Sequence, residues 1–293
     1  MNNQENDISF GNINASSLFH FTKELSTLKL ILQNGVRFSY AFENYPQSVI
    51  SNFCDITDIT NINEDLGVAI PMASFCDIPI TRASEHMQKY GYYMVGFNKA
   101  FMREYCGNIL NPLLYVQSAN LTDAIIDLSC IYKESSNEHQ ALISNDKTNE
   151  YRIPELGLRK YYLRLLIGLT KPMFSSDGKK CYYDEREWRA FHDDNKGQFN
   201  EWKWAISERE YKKEKKALND NISSTSDGYI TFYEDCLQEA ITHIVVKSDE
   251  ELPELAKYIL KATKLFGFEG ISDDTKLNLI SKISSIKRIS LDY

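Results

Sequence analysis

The sequence predicts an α+β fold, a mixed, split sheet with helices flanking it, and three observations carry that expectation. Short β-branched or aromatic runs recur along the 293 residues. Helical spacings fall between some of these runs, but without the regular strand-helix alternation that a doubly wound sheet requires. The chain is 43% apolar, enough at this length to bury a substantial core.

Ser17 to Thr22 reads as the first strand, and Leu25, Leu28, Ile31 and Leu32 then recur at helical spacing before Gly35 stops the run. Val36 to Phe42 alternates as a second strand. Glu43 to Leu66 is rich in Asn, Asp, Ser and Thr, which predicts a loop or lid over a ligand. Val68 to Cys76 is apolar and bounded by turn signals, as a buried strand is. Asp77-Ile78-Pro79 then turns the chain into a helix from about Thr81 to Lys89. Tyr92 to Phe97 follows as a strand, Ala100 to Tyr105 as a short helix, and Leu113 to Val116 as a brief strand.

Leu121 to Lys133 and Leu156 to Leu169 have helical spacing on either side of a polar stretch, Glu134 to Asn149, so the middle of the chain predicts a helical insertion. Lys180 to Phe191 reads as a strand. Lys212 to Lys216 and Asn219 to Asp227 form a charged, low-complexity run that predicts a solvated loop. Ala240 to Val246 predicts a β-branched strand, Glu250 to Thr263 a helix capped by Ser248, and Lys287 to Leu291 a closing strand. The expected organisation is a polar lead over 1–16, a core over 17–210 with its insertion near 120–170, a charged loop over 211–228, and a C-terminal α/β portion over 229–293 packing on the same domain.

The 33 Lys+Arg against 41 Asp+Glu give a net charge of −8, which disfavours general attraction to nucleic acid or anionic membranes and leaves room only for a local basic groove. No apolar run reaches the roughly 18 residues that span a bilayer, and the first residues lack the pattern of a secretion signal, so the expected location is the cytoplasm, away from membranes. The six cysteines show no CxxC spacing and are expected as buried thiols; the histidines show no HxH or HExxH, so no metal site is expected.

Two segments carry the polar groups able to do chemistry. In Leu18-Phe19-His20-Phe21-Thr22, strand alternation puts His20 and Thr22 on one face, where an imidazole and a hydroxyl could meet a ribose or an amide. In Tyr182-Tyr183-Asp184-Glu185-Arg186-Glu187-Trp188-Arg189, the same alternation sets the Glu185 and Glu187 carboxylates side by side, able to hold a ribose hydroxyl and stabilise a cationic ribose carbon. The structural counterpart is an ion-pair ladder with Asp184, Arg186 and Arg189. Ser74 on its buried strand and the cluster Tyr90-Gly91-Tyr92-Tyr93 could touch a ligand or simply pack. GxGxxG, GxxxxGK[ST] and GxSxG are all absent from the sequence.

The runs Leu18 to Thr22, Ile70-Pro71-Met72-Ala73-Ser74-Phe75-Cys76-Asp77-Ile78-Pro79-Ile80, Lys89-Tyr90-Gly91-Tyr92, Asn111-Pro112-Leu113-Leu114-Tyr115 and Tyr183 to Arg189 resemble the AbiGi family of bacterial abortive-infection proteins, over roughly residues 17 to 191. That resemblance implies the antitoxin-like half of a two-gene phage-defence system. The first run is also similar to the opening strand of DarT-type ADP-ribosyltransferases. By that likeness His20, Phe21 and Thr22, with Ser74 and Tyr90, would hold NAD, Glu187 would orient the ribose and the acceptor, and Glu185 would complete an ExE pair; the arginine of such sites is either Arg37 or Arg82.

The expected function is therefore transfer of ADP-ribose from NAD to a macromolecule, with RNA or DNA as candidate acceptor. The alternative is a non-catalytic antitoxin or sensor whose acidic surface covers a basic companion toxin. A third reading is NAD hydrolysis without an acceptor.

Overall fold

A computed structural model describes residues 15–44, 67–107, 109–117, 162–175, 178–191 and 203–292, together with 123–124, 127–128, 130–131, 134 and 137. Most of the expected lid at Glu43 to Leu66 and of the polar stretch at Glu134 to Asn149 lies outside these residues, as do Cys54, His139 and His192.

The strands in chain order are β1 (Ser17–Thr22), β2 (Val36–Arg37), β3 (Ser39–Asn44), β4 (Gly67–Cys76), β5 (Tyr93–Asn98), β6 (Leu110–Pro112), β7 (Leu114–Val116), β8 (Thr170–Pro172), β9 (Glu187–Phe191), β10 (Ile206–Ser207), β11 (Tyr229–Ile230), β12 (Ile241–Val246), β13 (Lys264–Leu265), β14 (Phe268–Glu269) and β15 (Ile283–Ser285). The helices are α1 (Leu25–Asn34), α2 (Ser84–Tyr90), α3 (Lys99–Tyr105), α4 (162–169), α5 (Glu208–Ser223), α6 (Glu234–Ala240), α7 (Leu252–Lys261), α8 (Asp273–Ser281) and α9 (Ile286–Asp292). The described positions between 123 and 137 are helical too. Among the described residues no helix is long and apolar enough to cross a membrane. The fold is α+β, with parallel and antiparallel pairings mixed and helices flanking the strands.

The chain forms two interleaved compact units. The first comprises Met1–Leu32, Phe75–Tyr105 and Phe232–Tyr293. Its strands run in the order β15-β12-β5-β1, and Phe19 of β1 also pairs with Cys76 at the end of β4. β1 lies antiparallel to β5 from Ser17↔Asn98 to Thr22↔Tyr93, whereas β15 runs parallel to β12. Every residue of β5 but Asn98 is buried, because both faces of the strand are covered. On one face Phe19, Met94 and Val245 pack with Ala83 and Met87, against Ile286 and Ile289 of α9. Phe97 instead packs among the rings of Phe75, Phe232 and Phe266, with centroids 5.6–6.5 Å away.

The second unit comprises Gln33–Ser74 and Cys106–Thr231. β4 is its central strand, paired antiparallel with β3 from Ser39↔Met72 to Asn44↔Gly67 and with β10 through Val68 and Ala69; β9 lies beside β4, and β6 beside β9. Val68, Ile70 and Met72 alternate into a core with Ile167, Phe191 and Ala205.

Three sequence expectations are corrected here. The charged run at Lys212 to Asp227 is largely helix α5, begun by the Ser207 hydroxyl accepting from the Glu210 amide. Its two buried residues are Ile222 and Asn219; Asn219 accepts from the Tyr40 amide at 2.9 Å, and Tyr211 stacks on Phe42. A helix period marked by a single fully buried apolar residue in a charged run is hard to read as helix. The expected closing strand at Lys287 to Leu291 is helix α9, whose Ile286 and Ile289 meet the core at a spacing of three; the strand, β15, ends just before it. The expected strand from Lys180 to Phe191 is a 3₁₀ turn over Tyr182–Glu185, then Arg186 in the left-handed region at φ 42°, and only then β9.

Candidate functional site

The second unit gathers three carboxylates and three cations around the start of β9. The left-handed turn at Arg186 separates Glu185 from Glu187, so the two carboxylates do not share a strand face; Lys171 on β8 joins them instead. Its ammonium donates to Glu185 Oε2 at 2.9 Å and to Glu187 Oε2 at 3.0 Å. Lys180 reaches the other Glu185 oxygen, in a short ion pair. Arg189 is wholly buried on β9 and donates to both oxygens of Glu187, to the Gly168 carbonyl at 2.8 Å, and to Glu43 on β3 at 2.6 Å. Ser74 on β4 donates its hydroxyl to Glu187 Oε1 at 2.8 Å. The Glu187 amide in turn donates to the Tyr115 hydroxyl at 2.9 Å.

The Glu187 carboxylate thus accepts four hydrogen bonds from protein groups, two on each oxygen. A carboxylate has about four lone-pair sites, so this one is saturated. Burial alone would raise its pKa, but the Arg189 and Lys171 cations and their hydrogen bonds override it and hold the group down at about 2. Burial would likewise lower Lys171; Glu187, Glu43 and Glu185 outweigh it and hold the ammonium above its ordinary range. Tyr115 is pushed upward, chiefly by burial. Every ion here is matched, which is what makes burial of so much charge tolerable. A carboxylate so stabilised is a weak proton acceptor, and offering an oxygen to a ligand would first cost it a protein donor.

Of the residues expected to hold a ligand, His20, Phe21, Thr22 and Tyr90 belong to the first unit, and Ser74, Glu185 and Glu187 to the second. In the first unit, the His20 ring lies 5.7 Å from Phe75. Thr22 is buried, and its carbonyl lies only 2.1 Å from where a Cβ on Gly91 would fall. Gly91 sits at φ 112°, so the glycine in Tyr90-Gly91-Tyr92 is a close-approach residue between α2 and β1. Phe21, His86 and Tyr90 form a chain of ring contacts at 6.0 and 5.6 Å, with the Lys89 ammonium 4.6 Å above Tyr90. Arg37 and Arg82 fall in different units, and Arg37 is engaged by Ser39 and Ser223. Among the described residues, no group of three or more His, Cys, Asp or Glu is placed to hold a metal ion.

Sequence reasoning missed Lys171 and the role of Glu43. The signal for Lys171 was a lone lysine in the run Leu165-Leu166-Ile167-Gly168-Leu169-Thr170-Lys171-Pro172, where an apolar setting demands a buried counter-charge. The sequence marks Arg189 only as a candidate ladder partner.

A family model described as "Putative abortive phage resistance protein AbiGi, antitoxin" matches residues 45–229. No curated protein and no solved structure matches the chain. The family match covers most of the second unit, and with it Ser74, Lys171, Glu185, Glu187 and Arg189.

Proposed function

The chain belongs to the AbiGi family, and from that membership we propose that it is the antitoxin half of an abortive-infection system, neutralising a companion toxin by contact and not by catalysis. The observation that carries this choice is the saturation of Glu187. An ADP-ribosyl transfer needs that carboxylate to hold a ribose hydroxyl and face a cationic carbon, but Ser74, Lys171 and Arg189 already occupy both of its oxygens. In the antitoxin reading the same six ions, with the Ser74 hydroxyl of β4, are an internal brace that fixes β9 against β3, β4 and β8. The net charge of −8 suits a partner with a basic surface.

Expression of this chain alone, and with the companion protein of the same gene pair, tests the proposal. We expect no loss of host viability from the chain alone, and recovery of viability when it accompanies the toxin. Toxicity of this chain by itself, with label from NAD appearing on host macromolecules, would replace it with the transferase reading.

A further inference from the structure

The first unit carries a groove of about 520 Å³ that the buried ion cluster does not explain. α6 and the residue before it form one wall with Tyr233, Glu234, Asp235 and Gln238, and β14 forms the other with Phe268 and Glu269. All of these residues lie beyond the segment that matches the family model. The size is comparable to that of small-molecule sites, roughly 300–1,000 Å³.

The two walls are held deliberately. Phe232 and Phe266 are both fully buried, and the Phe232 amide donates to the Phe266 carbonyl, fixing the start of α6 against the β13–β14 turn. That turn places Phe266 at φ 47° and Gly267 at φ 95°, the pair of positive values a tight hairpin needs, even though a phenylalanine in that region is strained. The consequence is that Phe268 faces Tyr233 with ring centroids 4.7 Å apart, while 57% of Tyr233 stays open to solvent. Large aromatic side chains left exposed beside a groove are a common mark of an interaction surface.

Charge selects the occupant. The lining holds three carboxylates and no cation. Glu234 is anchored by the Ser272 amide at 2.7 Å, whereas Asp235 and Glu269 are exposed on opposite walls. Of the neighbouring lysines, Lys276 faces Asp273, Lys282 donates to the Gln238 carbonyl on the α6 wall, and Lys264 lies across the hairpin from Glu269. An aromatic face flanked by carboxylates attracts a guanidinium or ammonium through both Coulomb and cation–π terms.

We infer that this groove docks a basic segment of the partner protein, with an arginine or lysine side chain seated on Tyr233 between Asp235 and Glu269. The inference rests on the antitoxin reading and names the surface and the chemistry of its contact. Binding of the full chain to a labelled arginine-rich peptide, and its co-purification with the companion protein, test it. The variants are D235K/E269K and Y233A, and E85K/E104K on exposed sites of α2 and α3 is the charge-matched control. We expect D235K/E269K to weaken peptide binding by about tenfold or more and to lose the companion, Y233A to weaken both, and E85K/E104K to retain both. Equal peptide binding and companion capture by wild type and D235K/E269K would overturn the groove and leave the antitoxin reading standing. Failure of wild type itself to capture the companion or suppress its toxicity would overturn both.

Discussion

The Arg189 guanidinium clasps the Glu187 carboxylate at both oxygens, through Nε to Oε1 at 2.9 Å and through Nη2 to Oε2 at 3.2 Å. The two residues lie two positions apart on β9, and the arginine is fully excluded from solvent. Such a pair is costly to break from one side, because the partner is then left as an unmatched buried charge.

Glu187→Gln should therefore destabilise the fold by about 3 kcal/mol, leaving Arg189 and Lys171 short of a counter-charge. Urea unfolding of wild type and variant checks this. The Glu187 side chain is only 13% exposed, so the loss is not that of a surface carboxylate.

The same group sets an acid limit. Its pKa falls from 4.5 to about 2 on folding, so its contribution is fully present above about 4.5 and is lost as pH falls toward 2. Unfolding midpoints followed from neutral pH to about pH 3 should drop for wild type, and the drop should be shallower for Glu187→Gln, which has no such proton to take up.

Gly91→Ala should cost more than about 1 kcal/mol, since the position has φ 112° and a new Cβ would meet the Thr22 carbonyl at 2.1 Å. Thermal unfolding measures it. Indifference to the substitution would mean that the α2–β1 approach is looser than described.

Asn219→Ala removes the acceptor of the buried Tyr40 amide and should cost about 1–3 kcal/mol. Because this contact ties α5 to β3, amide exchange at Tyr40 should speed up more than exchange in β5, which belongs to the other unit.

Much of the fold was legible wherever apolar period was strong. β1 falls at Ser17–Thr22 as read, β4 and β5 within a residue or so, and Ser248 begins the turn into α7, its amide held by Glu251 at 3.0 Å. Legibility failed where burial is polar or length is short. α5 keeps Asn219 on its inner side, α9 shows only two core isoleucines, and the 3₁₀ turn before Glu187 depends on a left-handed Arg186 that no propensity favours. The ion cluster was half legible. Glu185, Glu187 and Arg189 stood out by spacing, but Lys171 and Glu43 reach it only through the tertiary fold, Glu43 from 146 positions away.

Viability of cells carrying the companion toxin, scored with wild type and with Glu187→Gln at a temperature where the variant is folded, tests the central claim most directly. A brace for a non-catalytic antitoxin predicts equal rescue per amount of folded protein. Folded Glu187→Gln that fails to rescue, beside wild type that consumes NAD, would contradict it.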